Sequence, residues 1–209
     1  LCGRDIDRAL SCRSMQSRRI GLNMHKREIR VAGVGLRGDG YPNAYMTIET
    51  LRKAGWSIRD TADWLPKETH LWKVAQGSIM MRIRSAMRLA FSSLWQALTN
   101  LRSSSKDCYI YVPYPAPFIL WWFSWLPAEK RPKCIADAYV SIWDSMYCDR
   151  SNQEIDSLAS RLVKKFEARA LRAAEVVITD TAANEKWIAN NFLIDSKRIE
   201  SFPLAIEES

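Results

Sequence analysis

Short apolar segments of strand length alternate with longer segments of helical period along most of this chain, and that alternation limits the folds open to it. The first unit is residues 29–43, IRVAGVGLRGDGYPN. Ile29, Val31 and Val34 read as a strand that runs into a loop bearing Gly33, Gly35, Gly38 and Gly40, and a helix is expected from about Asn43. Glycines at such a junction let backbone N–H groups come close to a ligand, and the helix N-terminus that follows favours an anion. A phosphate-bearing ligand is one expectation for this loop. A tight strand-to-helix turn without a ligand is the other.

The remaining units follow the same rhythm. A helix is predicted over 44–54, with Tyr45, Ile48 and Leu51 at three-residue spacing and Gly55 closing it. A strand over 56–61 precedes a long helical region, 70–101. A strand over 108–112 stops at Pro113, and 115–126 is a short, very apolar helix between prolines. Too short to span a bilayer, that segment is read as a buried helix beside a parallel sheet, with an interfacial element as the other reading. Then come a strand over 134–140 and a helix over 153–174 with Ile155, Leu158, Leu162, Phe166 and Ala170 as its seam. A strand over 176–179, a helix over 182–191 and a strand over 198–202 complete the order. The order predicts an α/β fold: a Rossmann-like parallel sheet with helices on both faces. Ligands of such sheets bind outside the carboxyl ends of the strands, where strand order reverses.

Residues 1–28 show neither period, and a disordered or non-native extension is expected there. Met24, followed by His-Lys-Arg-Glu and then the first strand, reads as the natural start. A basic arm that binds lipid or nucleic acid is the alternative. The whole chain of 209 residues carries a net charge of +8, which suits an anionic partner without choosing between nucleic acid and a membrane surface. The five cysteines have no C-x-x-C spacing and point to reduced thiols in a cytoplasmic protein. His25 and His70, the two histidines, stand near no cysteine pair, so no metal is expected. No apolar run reaches the roughly 18 residues that a membrane span needs.

Gly33-x-Gly35-x-x-Gly38 matches a dinucleotide-binding fingerprint by letter, with Asp60 as a candidate ribose ligand. In that fingerprint the helix has begun by the third glycine, whereas here Asp39, Gly40, Tyr41 and Pro42 intervene. A nicotinamide site is therefore disfavoured. The long helical region supplies a different signal. Between Glu68 and Asp107 there is no acidic residue, and at roughly 100° per residue Arg84, Arg88 and Arg102 share an arc with Phe91 and Trp95. Ile79, Ile83, Ala90, Leu94 and Leu101 fall on a separate arc, expected to face the sheet. The cationic, aromatic flank suits an anionic membrane surface or an ordinary solvated face.

Three passages of residues 30–208 resemble the N-terminal domain of GT-B glycosyltransferases, particularly the retaining glycosyltransferase family 4. The glycine loop, its helix and Leu51-Arg-Lys-Ala-Gly-Trp-Ser-Ile58 are similar to the family's passage into its second strand. Glu167-Ala-Arg-Ala-Leu-Arg-Ala-Ala-Glu-Val-Val-Ile-Thr-Asp-Thr181 looks like a family helix, strand and next helix start. Ile199-Glu-Ser-Phe-Pro-Leu-Ala-Ile-Glu207 stands in the place of the crossover to the second domain. Trp56, Glu175, Thr181 and Leu204-Ala205 depart from the usual His, Asp, Ser and Asn-Gly.

The resemblance implies that residues 29–209 form the acceptor-side domain of a glycosyltransferase of hexosyltransferase type, inactive without a C-terminal donor-binding domain. It implies transfer from a nucleotide-sugar to a saccharide or lipid-linked acceptor, in surface-polysaccharide biosynthesis at the inner face of the plasma membrane, with no metal or other cofactor. Gly38, Asp39, Gly40 and Asn43 would face donor and acceptor, joined by Tyr139 and Asp144. Asp137 would be the catalytic residue or a cap, and Thr181 a helix cap. Arg84, Arg88, Phe91, Trp95 and Arg102 would face the membrane. A non-catalytic module that docks on a partner chain or membrane is the competing reading. Nucleic-acid binding has only the positive charge behind it.

Overall fold

The computed structural model describes residues 28–36, 41–66, 78–103, 108–148 and 155–202. Its elements, in chain order, are β1 (Glu28–Val31), β2 (Val34–Gly35), α1 (Pro42–Lys53), β3 (Ser57–Asp60), β4 (Asp63–Trp64), α2 (Ile79–Ser103) and β5 (Tyr109–Val112). They continue with α3 (Pro117–Phe123), β6 (Lys133–Asp137), a π-helical turn at Asp144–Cys148, α4 (Leu158–Leu171), β7 (Val176–Thr179), α5 (Ala182–Phe192) and β8 (Ile199–Ser201). Six strands form one sheet in the order β3-β1-β5-β6-β7-β8, and every pairing in it is parallel. The fold is α/β and Rossmann-like.

Side-chain alternation along the strands makes two layers of core. Ile110, Val112, Cys134, Ala136 and Val177 point to one face, where they pack with Ala97 of α2, Ile119, Leu120 and Phe123 of α3, Ala168 and Leu171 of α4, and Ile188 and Phe192 of α5. Ile29, Val31, Tyr111, Ile135 and Ile178 point to the other, against Ile48 and Leu51 of α1. The helix α3 is buried beside the sheet, with Ile119, Leu120 and Phe123 almost wholly enclosed. Helix ends follow local chemistry. Gly55 lies just past α1 at φ +85°, a conformation that suits glycine. Thr181 caps α5 by accepting from the Asn184 backbone N–H at 3.2 Å.

Three expectations are corrected. The strand predicted over 134–140 ends at Asp137, because the Asp137 carboxylate accepts the Tyr139 N–H at 3.2 Å and turns the chain. The helix predicted over 153–174 is described as α4 from Leu158 to Leu171, and Ile155, which precedes it, Leu158 and Leu162 do not form a buried seam; all three are exposed. The helix is rotated so that Ser160 and Glu167, both hydrogen-bonded to residues 141–143, lie inside together with Ala170 and Leu171. In α2, Ile83 and Ala90 face outward, and the sheet-facing positions are Leu89, Ser93, Ala97 and Asn100. The short parallel pair β2–β4 was not expected; it carries the chain beyond the carboxyl edge of β1.

Candidate functional site

From β1 the chain passes to β3 on one side of the sheet and then returns to β5 on the other, so strand order reverses between β1 and β5. The crevice outside their carboxyl ends is where a ligand of this architecture is expected. Its edges are the segment Ala32–Leu36 after β1 and the segment Pro113–Ala116 after β5, joined by the Leu36 N–H donating to the Tyr114 carbonyl at 2.9 Å. The Tyr114–Pro115 peptide is cis. Tyr41, just before α1, stacks on Tyr114 with ring centroids 5.8 Å apart.

Packing, rather than ligand access, accounts for two of the glycines. Gly33 has φ +107°, and a Cβ there would lie 3.2 Å from Ile119 Cγ2. A Cβ on Gly35 would lie 2.6 Å from the Trp64 ring, which closes over that backbone. The Trp64 indole is held in place by donating to Asp60 Oδ2 at 2.9 Å. Asp60 also accepts the Ala62 N–H, so it is engaged in the turn between β3 and β4. Gly38, Asp39 and Gly40 lie outside the described residues. Asn43 sits half-exposed in the first turn of α1, a helix that begins with Pro42 and has no side-chain cap at Tyr41. That turn leaves N–H groups directed toward the end of the preceding loop.

Asp137 ends β6 and is 1% exposed. Its Oδ2 accepts from the Tyr111 hydroxyl at 3.0 Å, and the backbone N–H groups of Tyr139 and Tyr114 also bond the carboxylate. Thr47 of α1 hydrogen-bonds the same tyrosine hydroxyl. Burial pushes the Asp137 carboxyl up to about 6, with the hydrogen bonds opposing the rise. Burial also pushes the Tyr111 phenol well above its usual range, and Asp137 adds to the effect. Asp137 thus lies beneath the crevice and ties the segments after β5 and β6 to α1 and the sheet.

A second buried carboxylate was missed by sequence reasoning. Glu167, 1% exposed in α4, accepts from the Ser141 hydroxyl at 3.0 Å and from the backbone N–H groups of Ile142 and Trp143 at 2.9 and 2.8 Å. Burial raises it to about 7 against those three donors. It therefore anchors the segment that leaves β6 toward Cys148. A glutamate flanked by Phe166 and Ala168, within three residues of the buried Ala170, is the signal that could have revealed it. Asp144, half-exposed on that segment, hydrogen-bonds Cys148 and donates its own N–H to Ser141 Oγ.

At the end of β7, Asp180 Oδ1 accepts from Thr181 Oγ1 at 3.3 Å and from Asn184 Nδ2 at 3.1 Å. Asn184 also donates to the Tyr139 carbonyl at 3.4 Å, which joins this corner to the segment after β6. Sequence reasoning did not single out Asp180 or Asn184. The five residues expected at a membrane, Arg84, Arg88, Phe91, Trp95 and Arg102, are all exposed on α2. Among the described residues no group of three or more His, Cys, Asp or Glu side chains could hold a metal ion, and no helix is long and apolar enough to cross a membrane. No protein-family model matches this chain, and no curated protein sequence does so either.

Proposed function

We propose that this chain is the acceptor-side domain of a glycosyltransferase, transferring a sugar from a nucleotide-sugar to a saccharide or lipid-linked acceptor in surface-polysaccharide assembly. The observation that carries the reading is the reversal of strand order between β1 and β5, with α1 beginning at Pro42 after the glycine-rich sequence that follows β1. The resemblance to family 4 supports it: the passage from Glu167 to Thr181 folds as helix, strand and capped helix start, in the order that the resemblance implies. The reaction would exchange the bond between the anomeric carbon and the donor diphosphate for a bond to an acceptor hydroxyl oxygen. The hydroxyl proton would pass to the departing diphosphate.

In this reading the N–H groups in the first turn of α1 stabilise negative charge as the diphosphate leaves. Asp137 is enclosed, 1% exposed, and in this reading acts through the residues around it. It is a positioning residue that holds Tyr114, at the β5 edge of the crevice, and Tyr139, in the neighbouring segment after β6, through their backbone N–H groups. The burial of Asp137 is also the one observation that favours the competing reading, a non-catalytic binding module, since the carboxylate expected to act on an acceptor is enclosed. The proposed setting is the cytoplasmic face of the plasma membrane, where a lipid-linked acceptor is met.

The test is transfer of radiolabelled sugar by the protein expressed from its uninterrupted reading frame, with UDP-glucose, UDP-N-acetylglucosamine, GDP-mannose and dTDP-glucose as donors. Lipid and polysaccharide extracts of the source cells serve as acceptors. Label entering an extract component from one donor is the expected result. Absence of transfer from every donor, with the protein folded, contradicts the reading.

A further inference from the structure

The helix α2 is inside out. Its sheet-facing side is largely small or polar: Ser93, Ala97 and Asn100 are buried there with Leu89. Its outward side carries Met80, Met87, Phe91, Trp95 and Leu98, with Phe91 74% and Trp95 62% exposed. At roughly 100° per residue, these five and Arg84, Arg88 and Arg102 lie within about 100° of one another, opposite the buried set. From Met80 to Leu98 the stripe runs about 27 Å.

Hydrogen bonds on the inner side fix this rotation. Gln96 Nε2 donates to the Thr61 carbonyl at 2.8 Å, and Asn100 Oδ1 accepts from Arg30 Nη1 at 3.3 Å. Ser93 Oγ accepts from the Trp122 indole at 3.1 Å, and Ser92 donates to Asp63. Turning the helix to bury Phe91 and Trp95 would break all four bonds and strand buried polar groups. The apolar stripe is therefore held facing outward.

We infer that this face of α2 docks on an anionic lipid bilayer, with Met80, Met87, Phe91, Trp95 and Leu98 in the acyl–headgroup boundary and Arg84, Arg88 and Arg102 on the lipid phosphates. Charge complementarity selects this occupant. The helix has no acidic residue, and among the described residues none of the three arginines has an ion pair. Two-fold pairing with a second copy would set these arginines against the same set. A bilayer offers a continuous anionic plane directly above hydrocarbon, and that order matches a stripe with Met80, Met87, Phe91 and Leu98 along one side and the arginines, with Trp95 among them, along the other.

The inference deepens the membrane setting proposed above and is independent of the sugar chemistry. Flotation of the 209-residue chain with vesicles tests it, comparing mixed phosphatidylglycerol and phosphatidylcholine with phosphatidylcholine alone. Binding to the anionic vesicles alone is expected. Replacing Arg84, Arg88 and Arg102 by Gln should weaken it by about fivefold each, about a hundredfold together. Phe91→Ser with Trp95→Ser should weaken it at least tenfold. All five side chains are exposed, so urea midpoints should be unchanged. Failure to bind anionic vesicles overturns the inference. So does binding that survives both sets of substitutions, as binding through the basic N-terminal residues would, or self-association that the Phe91 and Trp95 substitutions abolish. Vesicle binding without sugar transfer would remove the catalytic reading alone.

Discussion

Replacing Glu167 by alanine is expected to destabilise the fold by about 3–5 kcal/mol, since three buried donors lose their acceptor at about 1–3 kcal/mol each, offset in part by water entry. At about 2–4 °C per kcal/mol for a domain of this size, the thermal midpoint should fall by roughly 10 °C. Glu167→Gln is expected to fall between the two. One carbonyl oxygen can still serve Ile142, whereas the amide nitrogen meets the Trp143 N–H, donor against donor. The loss should be local first: amide exchange of Ile142 and Trp143 should speed up more than that of β5 and β6. Thermal unfolding followed by circular dichroism reads the global effect. A Glu167→Ala variant as stable as the parent would mean that residues 141–143 are held by something other than this carboxylate.

Stability should fall as pH rises from about 4 to about 7, by about 3 kcal/mol for each of the two buried carboxylates. In the unfolded chain Asp137 and Glu167 ionise near the ordinary values of 3.8 and 4.5, whereas burial raises them to about 6 and about 7 in the folded state. Between those limits the folded chain keeps a proton that the unfolded chain has lost, so acid favours folding. Below the unfolded values both states are protonated and the contribution is complete. Above the folded values both are ionised and it is gone. Urea midpoints measured across this range should show the decline. Asp137→Asn and Glu167→Gln should each remove their own share of it, with the Asp137 part ending about one pH unit lower. A pH dependence identical in parent and both variants would contradict the assignment.

Strand and helix order was legible because apolar periodicity survives wherever a strand is covered on both faces, as in Tyr109–Val112 and Val176–Thr179. Periodicity failed where a helix turns polar groups inward. In α4, Ser160 and Glu167 have partners in residues 141–143, far along the chain, and those bonds outweigh the apolar seam through Leu158 and Leu162. In α2, Gln96 and Asn100 do the same with Thr61 and Arg30. The exposure of Phe91 and Trp95 with the arginines was readable, since they share one arc and no acid interrupts it. The glycine-rich segment was readable as a strand-to-loop junction, but not the division of labour within it. Only spatial neighbours show that Ile119 and Trp64 occupy the space beside Gly33 and Gly35. Asp137 was readable as a residue at a strand end, while its enclosure by Tyr111 and the backbone of Tyr114 and Tyr139 depends on three separate elements.

The two buried carboxylates anchor segments at the carboxyl edge of the sheet. Asp137 fixes the segments leaving β5 and β6, and Glu167 fixes the continuation toward Asp144. Leu36 and Tyr41 are both tied to Tyr114, the first by a backbone hydrogen bond and the second by ring stacking.

Amide hydrogen exchange of the protein from the full reading frame, with and without the proposed nucleotide-sugar donors and acceptor extract, tests most directly whether the crevice is the site. Exchange should slow at residues 33–43, at the reversal in strand order, and at 138–144, in the neighbouring segment after β6, and stay unchanged at the amino ends of the strands. Protection confined to the amino edge, or to α2 alone, would contradict it.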